Sequence, residues 1–116
     1  MDPVIFNFPK SIPLTPTYGH WGAPGHDGFK RNPETGKVER DAAGKLIIEA
    51  GKEPINDLDK CFYRHDCVFQ DFEDGLATRR DILIADLKLI YEVAHLDPTS
   101  SGYPTDPYAL AYISKH

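Results

Sequence analysis

Apolar residues in the second half of the chain follow the three- and four-residue spacing of amphipathic helices. The first such stretch begins near Asn56, a residue suited to an N-cap, and ends at a break formed by residues 73–75. Its apolar face also contains His65, which Asp66 follows directly. We therefore predict a helix over residues 56–72, with apolar positions at Leu58, Cys61, Phe62, Phe69 and Phe72.

A second helix is predicted over residues 78–95, because Thr78 and Asp81 have the spacing of a capping box and an Asp-Pro pair at 97 and 98 stops the pattern. One carboxylate, Asp86, falls within its wide apolar arc, where burial without a partner is unfavourable. If a short loop joins the two helices in antiparallel order, His65 and Asp86 face each other. The apolar arc consists of Ile82, Leu83, Ile84, Leu87, Leu89, Ile90, Tyr91, Val93 and Ala94.

The remaining segments are rich in turn residues. Residues 1–17 contain four prolines that favour an extended strap. Its apolar side chains either close the core, or some of them line an acyl-chain channel or touch a membrane surface. Residues 18–28 form a glycine-rich loop, and residues 29–51 form an insertion in which 37–40 and 45–49 are expected to pair as a small β-hairpin. Residues 100–116 predict a loop and a short last helix. These elements predict one mainly α domain over residues 1–116.

Composition narrows the possible functions. A length of 116 residues suits one domain, and the formal net charge of -5, with no block of Lys and Arg, argues against nucleic-acid binding. No apolar run has transmembrane length or resembles a signal peptide, so we expect a soluble protein. Cys61 and Cys67 point in different directions on one helix, which predicts free thiols compatible with the cytoplasm, a virion or non-classical export.

The loop at residues 18–25, YGHWGAPG, has small side chains that let the backbone turn carbonyl oxygens inward. Calcium takes six to eight oxygen ligands, so this loop and Asp66 are candidates for one calcium site. A histidine bonded to a carboxylate is held in one tautomer, which makes His65, paired with Asp86, a candidate general base. Alternatively the loop is an ordinary turn and His65 is structural. Zinc is the competing metal, with candidate ligands at His20, His26, Asp27, Cys61 and Cys67 but no CxxC spacing.

Three separated motifs resemble the phospholipase A2 superfamily in their order along the chain. YGHWGAPG is similar to its calcium loop, PINDLDKCFYRHD to its catalytic helix, and residues 85–90, ADLKLI, to the helix segment that carries its catalytic aspartate. The spacing is most similar to the short, disulfide-poor phospholipase domains of parvovirus capsid proteins and related bacterial sequences. The residues with that spacing are Pro54, Asn56, Asp59, His65 and Asp66.

The resemblance implies a phospholipase A2-like fold and calcium-dependent hydrolysis of the sn-2 ester of glycerophospholipids at a membrane or micelle surface. It implies that His65 activates water and that Asp86 orients His65. The implied calcium ligands are Asp66 and the backbone carbonyls of Trp21, Ala23 and Gly25. A catalytically weak or silent module that binds lipid or a protein partner is the alternative.

The chain departs from the family pattern beside the proposed base. Phe69 stands where the family has a tyrosine whose hydroxyl supports the dyad. Tyr63 and Tyr91 are the candidates to supply that hydroxyl instead. The family's adjacent cysteine pair is Cys61-Phe62 here, so the disulfide lattice is absent.

Overall fold

The computed structural model describes residues 18–22 and 27–115, and three α-helices organise this part of the chain. Helix α1 spans Asp57–Glu73, α2 spans Arg79–Ala94 and α3 spans Pro107–Ser114. The predicted mainly α architecture is confirmed, and each end of the two long helices lies within one residue of its predicted position. The predicted strap at residues 1–17 lies outside the described residues.

Side-chain caps explain where the helices begin. Asn56 accepts a hydrogen bond from the Asp59 amide at 2.9 Å, which satisfies an otherwise unpaired donor at the start of α1. At α2 the predicted capping box is present, since Thr78 and Asp81 each bond the other's backbone amide. Asp106 caps α3, whose first residue is a proline.

Helices α1 and α2 pack against each other in antiparallel order. An ion pair joins the two helices, in which Arg64 Nε on α1 lies 3.2 Å from a carboxylate oxygen of Glu92 on α2. The next residue of α2, Val93, packs into the main core, to which α3 contributes Ala109. The buried members of this core are Tyr18, Leu58, Cys61, Val93 and Ala109. Both cysteines are free, as predicted.

The segment from Phe29 to Ile48 forms a smaller unit against the other side of α1. Its backbone pairs antiparallel at three isolated bridges, which join residues 29 to 48, 31 to 38 and 40 to 46. The predicted pairing of 37–40 with 45–49 is thus reduced to a single bridge, and none of these pairings extends into a continuous strand among the described residues. Along this segment the backbone changes its pairing partner after every bridge, so no two described stretches form a regular two-stranded ladder. Trp21, Phe29 and Leu46 form the core of this unit.

The outward side of α2 carries large apolar side chains that the rest of the described chain does not cover. The sequence predicted an apolar arc over more than half of this helix, but only Ala85 and Val93 are buried. Helix α1 packs along one side of α2 and α3 joins the core that contains Val93, so part of this wide arc faces outward. In residues 18–22 and 27–115, no helix is long and apolar enough to cross a membrane.

Candidate functional site

The predicted pairing of His65 with Asp86 is present at the contact between α1 and α2. His65 Nε2 lies 2.5 Å from Asp86 Oδ1, and the His65 side chain is only 18% exposed. An ionised carboxylate only accepts hydrogen bonds, so this contact places the ring hydrogen on Nε2 and leaves the lone pair on Nδ1. The Phe69 ring lies 5.1 Å from the imidazole, centroid to centroid, and packs against it. The pair therefore has the geometry of a base and its orienting carboxylate.

The surroundings of Asp86 differ from the prediction. Its side chain is 50% exposed, and its helical neighbours Leu83 and Ile90 are exposed as well. The expectation of an enclosing apolar wall was wrong, although the pairing deduced from it is present. Asp86 lies at the edge between the inner and outer sides of α2, where α1 covers only one flank.

A second carboxylate, Asp59, joins the glycine-rich loop to α1. It is fully buried and accepts backbone hydrogen bonds from His20 at 3.0 Å, Trp21 at 3.1 Å and Ile55 at 3.0 Å. Gly19 is required at this junction, since its φ is +55° and an added Cβ would lie 2.5 Å from the Asp59 carboxyl carbon. Three donors on one buried carboxylate fix the path of the loop.

The described part of the loop is also fixed from within. The Gly22 amide donates to the Tyr18 carbonyl at 2.8 Å, and an added Cβ on Gly22 would lie 2.5 Å from the same oxygen. The Trp21 indole is buried between the rings of Phe29 and Tyr63, and its Nε1 donates to the Lys52 carbonyl at 3.0 Å. Of the predicted calcium ligands, Trp21 is therefore held in place, whereas residues 23 and 25 lie outside the described residues.

Asp66 lies on the same side of α1 as Asp59, because residues seven apart share one helix face. Its Oδ2 is buried and has no hydrogen-bond partner. Burial, together with the negative charges of Asp27 and Asp59, raises the pKa of Asp66 to about 8. A buried carboxylate oxygen without a donor is what a cation ligand requires, so the donor chemistry at Asp66 fits the predicted metal.

Sequence reasoning missed the contributions of Asp59 and Asp27 to this side of α1. Asp59 was predicted to favour the first turn of the helix as an anion and was noted for its motif spacing, but its seven-residue separation from Asp66 was a further usable signal. Asp27 entered only as a zinc candidate; its carboxylate accepts from the Phe29 amide and from Arg31, both at 3.2 Å. Within the described ranges no three His, Cys, Asp or Glu side chains gather as a metal cluster. A calcium site built mainly from backbone carbonyls does not need such a cluster.

Neither Tyr63 nor Tyr91, the candidates to replace the tyrosine that the resemblance implies, is hydrogen-bonded to His65 or Asp86. Tyr63 packs on Trp21 and shares a hydrogen bond with Cys67. Tyr91 is exposed and stacks on His95, with 4.0 Å between the ring centroids. In this structure the position beside His65 is occupied by the Phe69 ring, which contributes packing and no hydroxyl.

No protein-family model, no curated protein and no solved structure matches the chain. A functional proposal for this site therefore rests on its residues and their geometry.

Proposed function

We propose that this protein hydrolyses the sn-2 ester of glycerophospholipids with the help of calcium. One observation carries the proposal: the adjacent residues His65 and Asp66 point to two different sides of α1. His65 meets Asp86 on α2, while Asp66 turns an unbonded buried oxygen toward the loop side. Successive helical residues are about 100° apart, so a single dipeptide supplies a base to one side and a cation ligand to the other.

The proton path follows from the hydrogen bond at Nε2. His65 Nδ1 accepts a proton from a water molecule as the water oxygen forms a bond to the ester carbonyl carbon. Asp86 stabilises the resulting imidazolium through its contact with Nε2. When the carbon–oxygen bond to the glycerol breaks, Nδ1 returns the proton to the leaving alkoxide. The products are a fatty acid and a lysophospholipid, and no covalent bond to the enzyme forms.

The calcium ligands in this proposal are Asp66 and the backbone carbonyls of Trp21, Ala23 and Gly25. When bound, calcium polarises the ester carbonyl and stabilises negative charge on its oxygen. Asp59 acts as a positioning residue, because it bonds the amides of His20 and Trp21 immediately before the proposed ligands. The unbonded Oδ2 of Asp66 supports this ligand set.

A catalytically weak or silent lipid- or protein-binding module is the second candidate. The observation that favours it is the half-exposed Asp86, since water competes with His65 for this carboxylate and weakens their interaction. Measured turnover distinguishes the two candidates, because the fold is the same in both.

The test is hydrolysis of position-labelled phospholipid vesicles by the wild-type chain and by His65→Gln, with calcium and with EGTA. His65→Gln removes the base and keeps a polar side chain, so turnover should fall about 10² to 10⁴-fold. Its calcium-dependent rise in melting temperature should remain, because Asp66 is intact. Near-normal turnover in a folded His65→Gln protein, or release of the sn-1 chain, would contradict the proposal.

A further inference from the structure

Helix α2 presents apolar side chains on two opposite sides. Its inner side packs on α1, where Ala85 is buried, but on its outer side Leu87 is 59% exposed and Tyr91 is 63% exposed. A helix that is apolar all round is normally covered all round, and monomeric proteins rarely expose so continuous an apolar surface. We define the outer face of α2 as Leu83, Ile84, Leu87, Ile90, Tyr91 and Ala94.

The outer face has the spacing of a helix-pairing seam. Leu83 and Ile90 are seven residues apart, as are Ile84 and Tyr91, and Leu87 and Ala94. Apolar positions that repeat every seven residues in this pattern pack as knobs into the holes of a neighbouring helix. The spacing therefore favours a helical partner.

The outer face is also complementary to itself. About Leu87, the positions three residues away on either side are both isoleucine, and those four residues away are Leu83 and Tyr91. If a two-fold axis passes through Leu87, each of these side chains meets its counterpart in an antiparallel copy of the same helix. Apolar groups then oppose apolar groups along the whole face.

Charge at the ends of α2 supports the same antiparallel order. Arg80, exposed and seven residues before Leu87, comes to lie beside the small Ala94 of the second copy. His95, which follows α2, donates from its ring to the Tyr91 carbonyl at 2.8 Å. The last turn of α2 itself contains no basic side chain, so the negative end of the helix dipole favours a cation placed nearby. A parallel pair would instead bring the two Arg80 side chains together.

We propose that the outer face of α2 is the interface of a homodimer, in which two copies of this chain pack their α2 helices antiparallel about Leu87. This inference does not depend on the proposed catalytic function. Asp59 and Asp66 lie on the side of α1 opposite to α2, so the second copy leaves the loop side open. Asp86 lies at the edge of the outer face, where the second copy reduces its contact with water.

The test is sedimentation equilibrium of the wild-type chain and of Leu87→Glu over a wide range of protein concentration. A seam of two heptads is short, so we expect the wild-type dimer to dissociate at roughly micromolar concentration. Leu87→Glu places two carboxylates together at the axis and should leave only monomer. Leu76→Glu is the matched control, because Leu76 is an exposed leucine outside α2 and should not alter the dimer.

The antiparallel register has its own test by charge exchange. Leu83→Glu and Tyr91→Lys should each weaken the dimer, and the double variant should restore it, because residue 83 of one copy meets residue 91 of the other. A wild-type chain that stays monomeric to about 1 mM would overturn the proposal. So would equal dissociation by Leu76→Glu, no restoration in the double variant, or a monomer that binds phosphatidylcholine vesicles through Leu87.

Discussion

Asp59 and Asp86 are carboxylates of the two packed helices, α1 and α2, but their surroundings differ in burial and in hydrogen bonding. Asp59 is fully buried and bonded by three backbone amides, whereas Asp86 is half exposed and meets one histidine. The first carboxylate holds two segments of chain together. The second only has to hold one imidazole in place, which needs a single contact and little burial.

This difference in burial and hydrogen bonding indicates that the fold depends on Asp59 more than on Asp86. The backbone amides of His20 and Trp21 donate to the Asp59 carboxylate, so the pairing of these two amides and the path of the loop both depend on Asp59. Asp86 can be altered without leaving a buried donor unsatisfied, because its surroundings reach water. We therefore expect changes at Asp59 to act on stability first, and changes at Asp86 to act on turnover first.

The largest expected effect is that of Asp59→Ala. It leaves three amide donors without their acceptor, and at about 1–3 kcal/mol for each unsatisfied buried group, partly hydrated here, the unfolding free energy should fall by roughly 3–5 kcal/mol. Urea unfolding measures this change. Asp57→Ala, two residues earlier on α1, is the control and should cost much less, since its carboxylate packs beside Gly102 and has only a long ion pair with Lys60, at 3.9 Å. Equal losses for the two variants would contradict the role assigned to Asp59.

If Asp59→Ala does not fold, Asp59→Asn gives the same comparison. The asparagine amide keeps one acceptor oxygen, so we expect a smaller loss of stability than for Asp59→Ala. At the same calcium concentration, the calcium-dependent rise in melting temperature should be smaller than in the wild type. A calcium response equal to that of the wild type would show that Asp59 does not position the loop.

Calcium itself should stabilise the folded chain through Asp66. A ligand present at a hundred times its dissociation constant stabilises a protein by about 2.7 kcal/mol if it binds only the folded state. Asp66→Asn removes the charged ligand and should abolish the calcium-dependent rise in melting temperature. Differential scanning calorimetry with and without EGTA measures this rise. Persistence of the full rise in Asp66→Asn would show that the ligand set is wrong.

The sequence was sufficient to predict α1 and α2, because their caps and apolar spacing are local properties. The contact of His65 with Asp86 was also predictable, since antiparallel order and helix periodicity constrain which faces meet. The exposure of Asp86 was not, because it depends on how much of a wide apolar arc two neighbouring helices can cover. The role of Asp59 was hidden for a related reason: it depends on contacts with residues 20 and 21, almost forty positions away.

Asp86→Asn tests the exposed member of the comparison. Asparagine keeps the shape but can accept from Nε2 only through one oxygen and can present its amide hydrogens instead, which favours the wrong imidazole tautomer. We expect turnover to fall by roughly 10- to 100-fold, less than for loss of the base itself. Unfolding free energy and calcium affinity should change little. A stability loss comparable to that of Asp59→Asn, with normal turnover, would reverse our assignment of the two carboxylates.

The smallest expected effect belongs to Asp81→Asn, which is the matched control for Asp86→Asn on the same helix. Asp81 is fully exposed, and its carboxylate accepts from the Thr78 amide at 2.8 Å and the Thr78 hydroxyl at 3.1 Å. Those bonds keep the pKa of Asp81 below its usual range, and they account for its conformation without any contact to His65. Asparagine can still accept one of them, so stability should fall only slightly, because one helix-capping contact is weakened. Turnover should be unchanged in phospholipid hydrolysis measured beside Asp86→Asn, and a severe loss confined to Asp81→Asn would mean that the orienting carboxylate is Asp81.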